Sequence, residues 1–277
     1  MSTTHEALHA IPRVSRADMT RTARKNADII SPPDGRAKTA LRRPSAIPKG
    51  TRPIHADALA EQGFVHLRNV VPVALVDHLR EHVYTTMAPF RKPQKRSDAE
   101  TVFRSTNAWD AVAQATEPTA FIERTTKSAA FGALMRHCQR HVLPTVARGP
   151  LDLKHDDHAR WLRIGMPNHG PTRLPAHQDV FYLKPDLAFL TVWVPLHPCP
   201  AALGGLRVVP GSHRLGPLLH DGLAGIPVRG KGLRWKTFAF DVGDALVFDR
   251  FTIHSSGLNR SADQIRFSVD FRLVIES

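Results

Sequence analysis

Cysteine is nearly missing from this 277-residue chain, which holds only Cys138 and Cys199. Two thiols exclude a disulfide framework and a cysteine-based zinc site, and they point to a reducing, cytoplasmic compartment. No apolar run approaches the roughly 18 residues that a membrane helix needs, so no membrane span is expected. The N-terminus lacks the compact apolar stretch of a secretory signal, and export by that route is not expected. No internal repeat is present. Hydrophobic residues make up 42% and charged residues 23%, which is enough apolar material for a full globular core.

Acidic residues are the next shortage: 25 Asp and Glu against 38 Lys and Arg, a net charge of +13. Such a balance raises the question of nucleic-acid binding. The charge is unevenly placed. Residues 1–54 hold eleven Lys/Arg against Glu6, Asp18, Asp28 and Asp34, so over half of the excess lies in the first fifth of the chain. That stretch carries Pro12, Pro32, Pro33, Pro44, Pro48 and Pro53, few apolar residues and no persistent period. It reads as a disordered basic tail, because it cannot bury enough apolar surface to offset its ordering entropy. Its four acids argue against a transit peptide. The remainder, 55–277, reads as one domain and is only mildly basic. No zinc finger, basic zipper or regular basic-aromatic surface supports a nucleic-acid partner.

Periodic structure begins near His55. A short helix closed by Gly63 precedes the strand Phe64 to Leu67. Pro72 suits a helix start, and Leu75, Val76, Leu79 and Val83 form an apolar stripe at helical spacing. Residues 90–101 are charged, without a period, and read as a mobile loop. Phe131, Leu134, Met135, Cys138 and Val142 form a second stripe, so Cys138 is expected to be a small core residue. Pro144 should end that helix. From Arg160 the texture turns to strands: Trp161 to Met166, Ala188 to Leu196, Leu206 to Val209, Thr237 to Val242, Ala245 to Phe248 and Ile265 to Ile275. Turn signals such as Gly204-Gly205 and Gly243-Asp244 separate them. The fold class is α+β, a sandwich or barrel with helices on one side.

Strand alternation sorts the faces. Ile265, Phe267, Val269, Phe271 and Leu273 are apolar, while Arg266, Ser268, Asp270 and Arg272 between them are polar. Likewise Leu190, Val192, Val194 and Leu196 oppose Thr191 and Trp193, and Arg163 opposes Leu162 and Ile164. The polar faces either meet solvent or line a cavity.

His177-Gln178-Asp179 places an imidazole and a carboxylate two residues apart, so on a strand both point the same way. His254 is the candidate third ligand. Two histidines and one carboxylate form the facial triad of non-haem Fe(II) oxygenases, which leaves three coordination positions open. His-x-Asp is a weak signal among 16 histidines. His78, His82 and His141 read as helix-surface or core-edge residues, and His155-Asp156-Asp157-His158 as a charged turn.

Three ordered blocks strengthen the triad. They are Ala176-His177-Gln178-Asp179, then Gly204-Gly205-Leu206-Arg207-Val208-Val209-Pro210-Gly211-Ser212-His213-Arg214, then His254-Ser255-Ser256-Gly257-Leu258-Asn259-Arg260-Ser261 with Arg266. With Gln62-Gly63-Phe64-Val65, they resemble the phytanoyl-CoA dioxygenase family of Fe(II)/2-oxoglutarate oxygenases over about residues 55–275.

The resemblance implies a double-stranded β-helix, or jelly roll, with helices packed on one face and iron at one mouth. It assigns His177, Asp179 and His254 to the metal and Arg266 to the distal carboxylate of the co-substrate 2-oxoglutarate. A guanidinium fork suits a carboxylate. Ser256 is placed to add a hydroxyl, and Trp193 and Thr191 share the co-substrate face. Arg260 is a rival to Arg266 but follows a turn residue. Arg163 either faces the cavity or pairs with a carboxylate. His213 and its Pro-Gly-Ser-His block read as a turn motif. Related halogenases carry a small residue in place of the Asp179 carboxylate, so the acid implies oxygen chemistry.

The implied reaction is hydroxylation of a small-molecule substrate by dioxygen, with 2-oxoglutarate converted to succinate and CO₂. Desaturation, cyclisation or epimerisation can follow from the same activation. The alternatives are a catalytically silent jelly-roll binding protein and a basic nucleic-acid-binding protein. A monomer or homodimer is expected, and residues 90–130, 167–175 and 215–235 are the segments expected to select substrate.

Overall fold

A computed structural model describes residues 53–87, 118–147, 160–168, 173–182, 188–221, 225–226 and 233–274. The basic tail up to residue 52, the charged loop at 90–101 and the His155 to His158 cluster lie outside the described residues. The elements in chain order are α1 (Ala56–Gln62), β1 (Phe64–Leu67), α2 (Val73–Thr86), α3 (Pro118–Thr126), α4 (Ala129–His137), β2 (Arg160–Gly165), β3 (Phe189–Pro195), β4 (Leu206–Val208), β5 (Ala245–Asp249), β6 (His254–Ser256) and β7 (Arg266–Val274). No helix among the described residues is long and apolar enough to cross a membrane.

Five strands form one antiparallel sheet in the order β1-β5-β3-β7-β2, and β4 pairs with β6 in a second sheet. The two faces of the large sheet follow the alternation in its sequence. Leu190, Val192 and Val194 of β3 and Phe267, Val269, Phe271 and Leu273 of β7 join one core cluster. That cluster also holds Val76, Leu79 and Val83 of α2, Phe121 of α3, and Phe131, Leu134 and Met135 of α4. The helices therefore cover this face, and the rings of Phe131 and Phe271 meet edge to face at 6.0 Å. Cys138 is buried in the same cluster with its thiol pushed up to about 12 by burial, which makes it an inert packing group. Trp193, Leu246 and Phe248 of the opposite face cluster with Leu206 and Val208, which places the two-stranded sheet against it. The polar residues of β7 thus face the space between sheets rather than solvent.

The ends of the first helix explain the Pro-Gly-Ser-His block. Gly63 adopts φ +80° and closes α1, its N–H returning to Leu59. The last carbonyls of α1 are then taken by the block itself. His213 Nε2–H donates to Ala60 O at 3.0 Å, Arg214 to Glu61 O at 2.6 Å, and the Gly211 N–H to Gln62 O at 2.8 Å. Helix-end carbonyls have no partner within the helix and must find one outside it. His213 is therefore structural, as its turn setting implied.

Three local readings differ from the structure. Thr237 to Val242 forms no strand; only Lys236 and Phe240 make single bridges, to Val208 and Cys199. Phe238 and Phe240 are anchored by burial in the inter-sheet core instead. The helix expected to run through Val142 ends at His137 and continues as one π turn, Cys138–Val142, and a 3₁₀ turn containing Pro144. Helix α3 and strand β6 lie where the sequence shows no clear period.

Two buried histidines stabilise the loops around the sheets in their neutral form. His220 accepts the Gln178 N–H at 2.8 Å and donates to Leu218 O, while its ring stacks on Phe181. His197 accepts the Phe267 N–H at 2.9 Å and donates to Pro198 O. Burial lowers His220 to about 3 and His197 to about 4. Folded pKa values below the unfolded value of about 6.5 mean that the unfolded chain binds more protons between the two. Stability is then complete above pH ~6.5 and falls as the pH drops towards 4 and 3. The thermal midpoint should decline over that window. His220→Gln, which keeps an acceptor for Gln178 without a titrating ring, should flatten the decline. An unchanged slope in that variant would exclude His220 as its source.

Candidate metal and co-substrate site

The His177–Asp179 segment is brought to His254 by backbone pairing. His177 and His254 form a reciprocal bridge, each N–H donating to the other's carbonyl at 3.0 Å. Residues far apart in sequence thereby stand directly opposite one another, with ring centroids 4.1 Å apart. The segment is held there by Gln178. Its amide donates to Gly216 O and Phe251 O, and its Oε1 accepts the Leu218 N–H, at 2.8–2.9 Å. Every polar group of that buried amide has a partner, as burial requires. The strand expected for His177-Gln178-Asp179 is absent: His177 makes a single bridge, and Asp179 starts a 3₁₀ turn, Asp179–Phe181, so the fold and not strand alternation aims both side chains at one point.

His177, Asp179 and His254 are the one cluster of this kind among the described residues: buried, with ligand atoms all within 4.8 Å of one another. Both imidazoles are oriented by the backbone. Nδ1–H of His177 donates to Pro175 O at 2.8 Å, and Nδ1–H of His254 to Thr252 O at 2.9 Å. These bonds fix the tautomer and leave each Nε2 with a lone pair, the arrangement in which histidine ligates a metal. The two Nε2 atoms lie 3.7 and 3.5 Å from Asp179 Oδ1. Three ligands on a sphere of about 2.1 Å radius sit ~3 Å apart, so a small contraction completes a site. Burial lowers His177 to about 4. Its approach to Asp179 is therefore a meeting of two electron-pair donors and not an ion pair. Burial alone would raise Asp179, but Arg272 and the two imidazoles overcome it and hold the carboxyl well below its ordinary value. Two imidazole Nε2 atoms beside an ionised carboxylate are a donor set suited to Fe(II).

The cavity next to this cluster is about 240 Å³. Its lining includes His177, His254, Trp193, Ser256, Arg163, Arg266 and Arg272, with Ile122, Trp161, Ile164 and Leu174 as apolar wall. Arg266 is buried and projects from β7, with Nη1 donating to Ser268 Oγ at 3.3 Å. Its Nε and the Trp193 Nε1 are buried without any partner. A buried donor left unmatched costs about 1–3 kcal/mol. Two such donors on one cavity wall, one of them cationic, fit an anionic ligand with carboxylate oxygens. Ser256 lies in the same lining, and its Oγ accepts the Leu174 N–H at 2.7 Å.

The remaining expected residues are placed as follows. Thr191 donates its hydroxyl to Asp179 Oδ2 at 2.6 Å. Arg163 combines the two alternatives: it lines the cavity and donates to Asp270, with Nη2 to Oδ1 at 3.3 Å, while lying over the Trp161 ring. Arg260 is exposed and outside the cavity lining. Asp270 and Arg272 carry no role in the sequence reading, although the alternation in β7 put both on the polar face. Arg272 grips Asp179 with Nη2 to Oδ1 at 2.8 Å and Nε to Oδ2 at 3.2 Å.

Gly165 has a specific duty here. It pairs with Arg266 across β2 and β7, and a Cβ at Gly165 would stand 2.6 Å from Arg266 Nε and 2.7 Å from Nη2. Gly165→Ala should therefore push the guanidinium aside while the sheet persists. The expected result is 2-oxoglutarate binding weakened by about tenfold or more, equivalent to one charged hydrogen bond, with the thermal midpoint little changed. Titration of both proteins with the co-substrate checks it; equal affinities would mean that Arg266 does not hold it.

A buried two-His, one-carboxylate cluster between antiparallel sheets, beside a cavity lined by an arginine without a carboxylate partner, has the donor set of non-haem metal sites. The chain belongs to the phytanoyl-CoA dioxygenase (PhyH) family, whose model matches residues 59–268. Among curated proteins it is similar to 1-deoxypentalenic acid 11-beta-hydroxylase of Streptomyces exfoliatus, with 35% identity over 113 residues, 36% of this chain and 40% of that protein. The enzyme of the same name from Streptomyces arenae is 34% identical over the same length. The match thus spans about two fifths of the length of these curated relatives. Among solved structures, EvdO2 from Micromonospora carbonacea var. aurantiaca complexed with 2-oxoglutarate shares the fold, with a TM-score of 0.54 and 20% identity over 84% of this chain and 94% of that one. The carbocyclase SnoK from nogalamycin biosynthesis does so with a TM-score of 0.53 and 17% identity, over 84% and 87%.

Proposed function

We propose that the protein is a non-haem Fe(II)- and 2-oxoglutarate-dependent dioxygenase that hydroxylates a small molecule. The observation that carries this reading is the buried His177, Asp179 and His254 cluster, whose two histidines line one cavity with Arg266 and its unpartnered Nε. The two sheets form the frame of a double-stranded β-helix, with β4 and β6 as part of its smaller sheet. In this reading the Nε2 atoms of His177 and His254 and Oδ1 of Asp179 hold the iron. Arg266 takes the far carboxylate of 2-oxoglutarate, with Ser256 beside it and the Trp193 indole N–H as a further donor. When bound, iron and 2-oxoglutarate supply dioxygen activation, with the co-substrate leaving as succinate and CO₂.

The chain's own contribution is position and dryness. Thr191 and Arg272 orient the carboxylate, and Pro175 and Thr252 orient the imidazoles. Ile122, Trp161, Ile164 and Leu174 present an apolar wall, which favours a substrate with an apolar body and excludes water that would quench a reactive centre. The hydroxylase activity named for the Streptomyces relatives supports hydroxylation over the other outcomes. The test is a screen for substrate-stimulated succinate formation by protein loaded anaerobically with Fe(II), followed by mass spectrometry of the product. Gain of one oxygen supports hydroxylation. Absence of 2-oxoglutarate turnover with every substrate, including the slow uncoupled reaction, would remove the oxygenase reading.

A further inference from the structure

The two oxygens of Asp179 are not equivalent. Oδ1 faces both imidazole Nε2 atoms and accepts Arg272 Nη2–H at 2.8 Å. Oδ2 accepts the Thr191 hydroxyl at 2.6 Å and Arg272 Nε–H at 3.2 Å. An ionised carboxylate offers about four lone-pair sites. Three are filled by these donors, and the one left over belongs to Oδ1, on the side of the histidines.

Arg272 is itself fixed. Its Nη1 donates to Asp270 Oδ1, and Asp270 in turn accepts from Arg163. The chain of charges runs Arg163, Asp270, Arg272, Asp179, and crosses from β2 through β7 to the His-x-Asp segment. All but Arg163 are buried. In a low-dielectric interior such alternating charges hold a geometry that a solvated pair would not.

We propose that Arg272 is a positioning residue that restricts Asp179 to a single ligating oxygen. The proposal rests on the iron reading above and deepens it. A carboxylate that chelates with both oxygens takes one coordination position more than three residues need. The proposed reaction requires three open positions, two for 2-oxoglutarate and one for dioxygen. By capping Oδ2, Arg272 and Thr191 keep the third position free. Thr191 supplies one donor to Oδ2, whereas Arg272 supplies one to each oxygen and sets the carboxylate plane, so Arg272 carries the larger share.

Nitric oxide serves as the probe of a free position. Wild type, Arg272→Met and Asp270→Asn are loaded anaerobically with Fe(II), and the high-spin nitrosyl signal is read by electron paramagnetic resonance with and without saturating 2-oxoglutarate. Circular dichroism reports folding. Wild type should give the signal in both conditions. Arg272→Met should keep it without 2-oxoglutarate and lose it by about tenfold with the co-substrate bound, the scale on which partners of metal ligands act. Asp270→Asn releases the anchor of Arg272 and should show the same loss in weaker form, and it provides the reading if Arg272→Met does not fold. A purely structural role would lower both conditions together. A folded, iron-loaded variant with an undiminished signal beside 2-oxoglutarate overturns this inference and leaves the iron site standing. Absence of any nitrosyl signal from wild type overturns the iron reading, and this inference with it.

Discussion

Asp179→Ala should abolish ferrous-ion binding and destabilise the fold at the same time. The carboxylate accepts three buried hydrogen bonds and faces both imidazoles. Loss of a partner that merely orients a ligand weakens metal binding 10–100-fold, so loss of the ligand itself should cost more than about 100-fold. The second effect comes from Arg272. Without Asp179 its buried guanidinium keeps only Asp270, which it shares with Arg163. Breaking a buried ion pair from one side costs about 3–5 kcal/mol. Calorimetric titration with Fe(II) or Mn(II) under argon measures the first loss, and thermal melting of the metal-free proteins measures the second. Metal affinity within a few-fold of wild type would remove Asp179 from the ligand set. An unchanged melting temperature would mean that the pair contributes no net stability in the metal-free protein.

Arg266→Ala should raise the 2-oxoglutarate requirement steeply and leave iron binding near normal. The guanidinium is buried, its Nε has no partner, and burial lowers its pKa. An anion would restore the stability of that charge. Two charge-assisted hydrogen bonds at about 1.5 kcal/mol each give a loss of roughly 100-fold in co-substrate affinity. Arg266→Lys should also be impaired, because an ammonium is a point charge and cannot reproduce the fork. Co-substrate affinity can be followed anaerobically on the iron-loaded protein, without turnover. If both variants bind 2-oxoglutarate as wild type does, Arg163 becomes the candidate, since Arg260 is exposed and outside the cavity.

Much of this site was legible in residue spacing. The alternation in Ile265 to Leu273 separated the face that packs on the helices from the face that carries Arg266, Ser268, Asp270 and Arg272. Gly63 marked the end of α1 because its φ of +80° is one that side chains disfavour. The three ordered blocks carried the resemblance that the family match over residues 59–268 bears out. Other parts left no local trace. Strand β6 has three residues and no period to read. It exists because its ladder partners, β4 and the His177 segment, lie on either side of it. The stretch Thr237 to Val242 carries strand-like residues, yet it lacks a continuous neighbour and stays irregular.

The covalent order of the chain by itself determined which residue types were available, which strand face was polar, and that two imidazoles and a carboxylate existed with suitable spacing. Periodicity is a property of the backbone, so these features survive without knowledge of the neighbours. Only the tertiary structure decided how the polar groups pair. By strand alternation alone Arg163, Arg266 and Arg272 read alike, as basic residues on polar strand faces, and only the family resemblance singled out Arg266. In the fold one is matched by Asp270, one lines the cavity with only Ser268 beside it and no carboxylate partner, and one clamps Asp179. The difference is set by strand register, Arg163 opposite Ser268, Gly165 opposite Arg266 and Thr191 opposite Arg272. Register brings together charges that are remote in the chain, and inside a low-dielectric core the nearest partner decides what a charge can do.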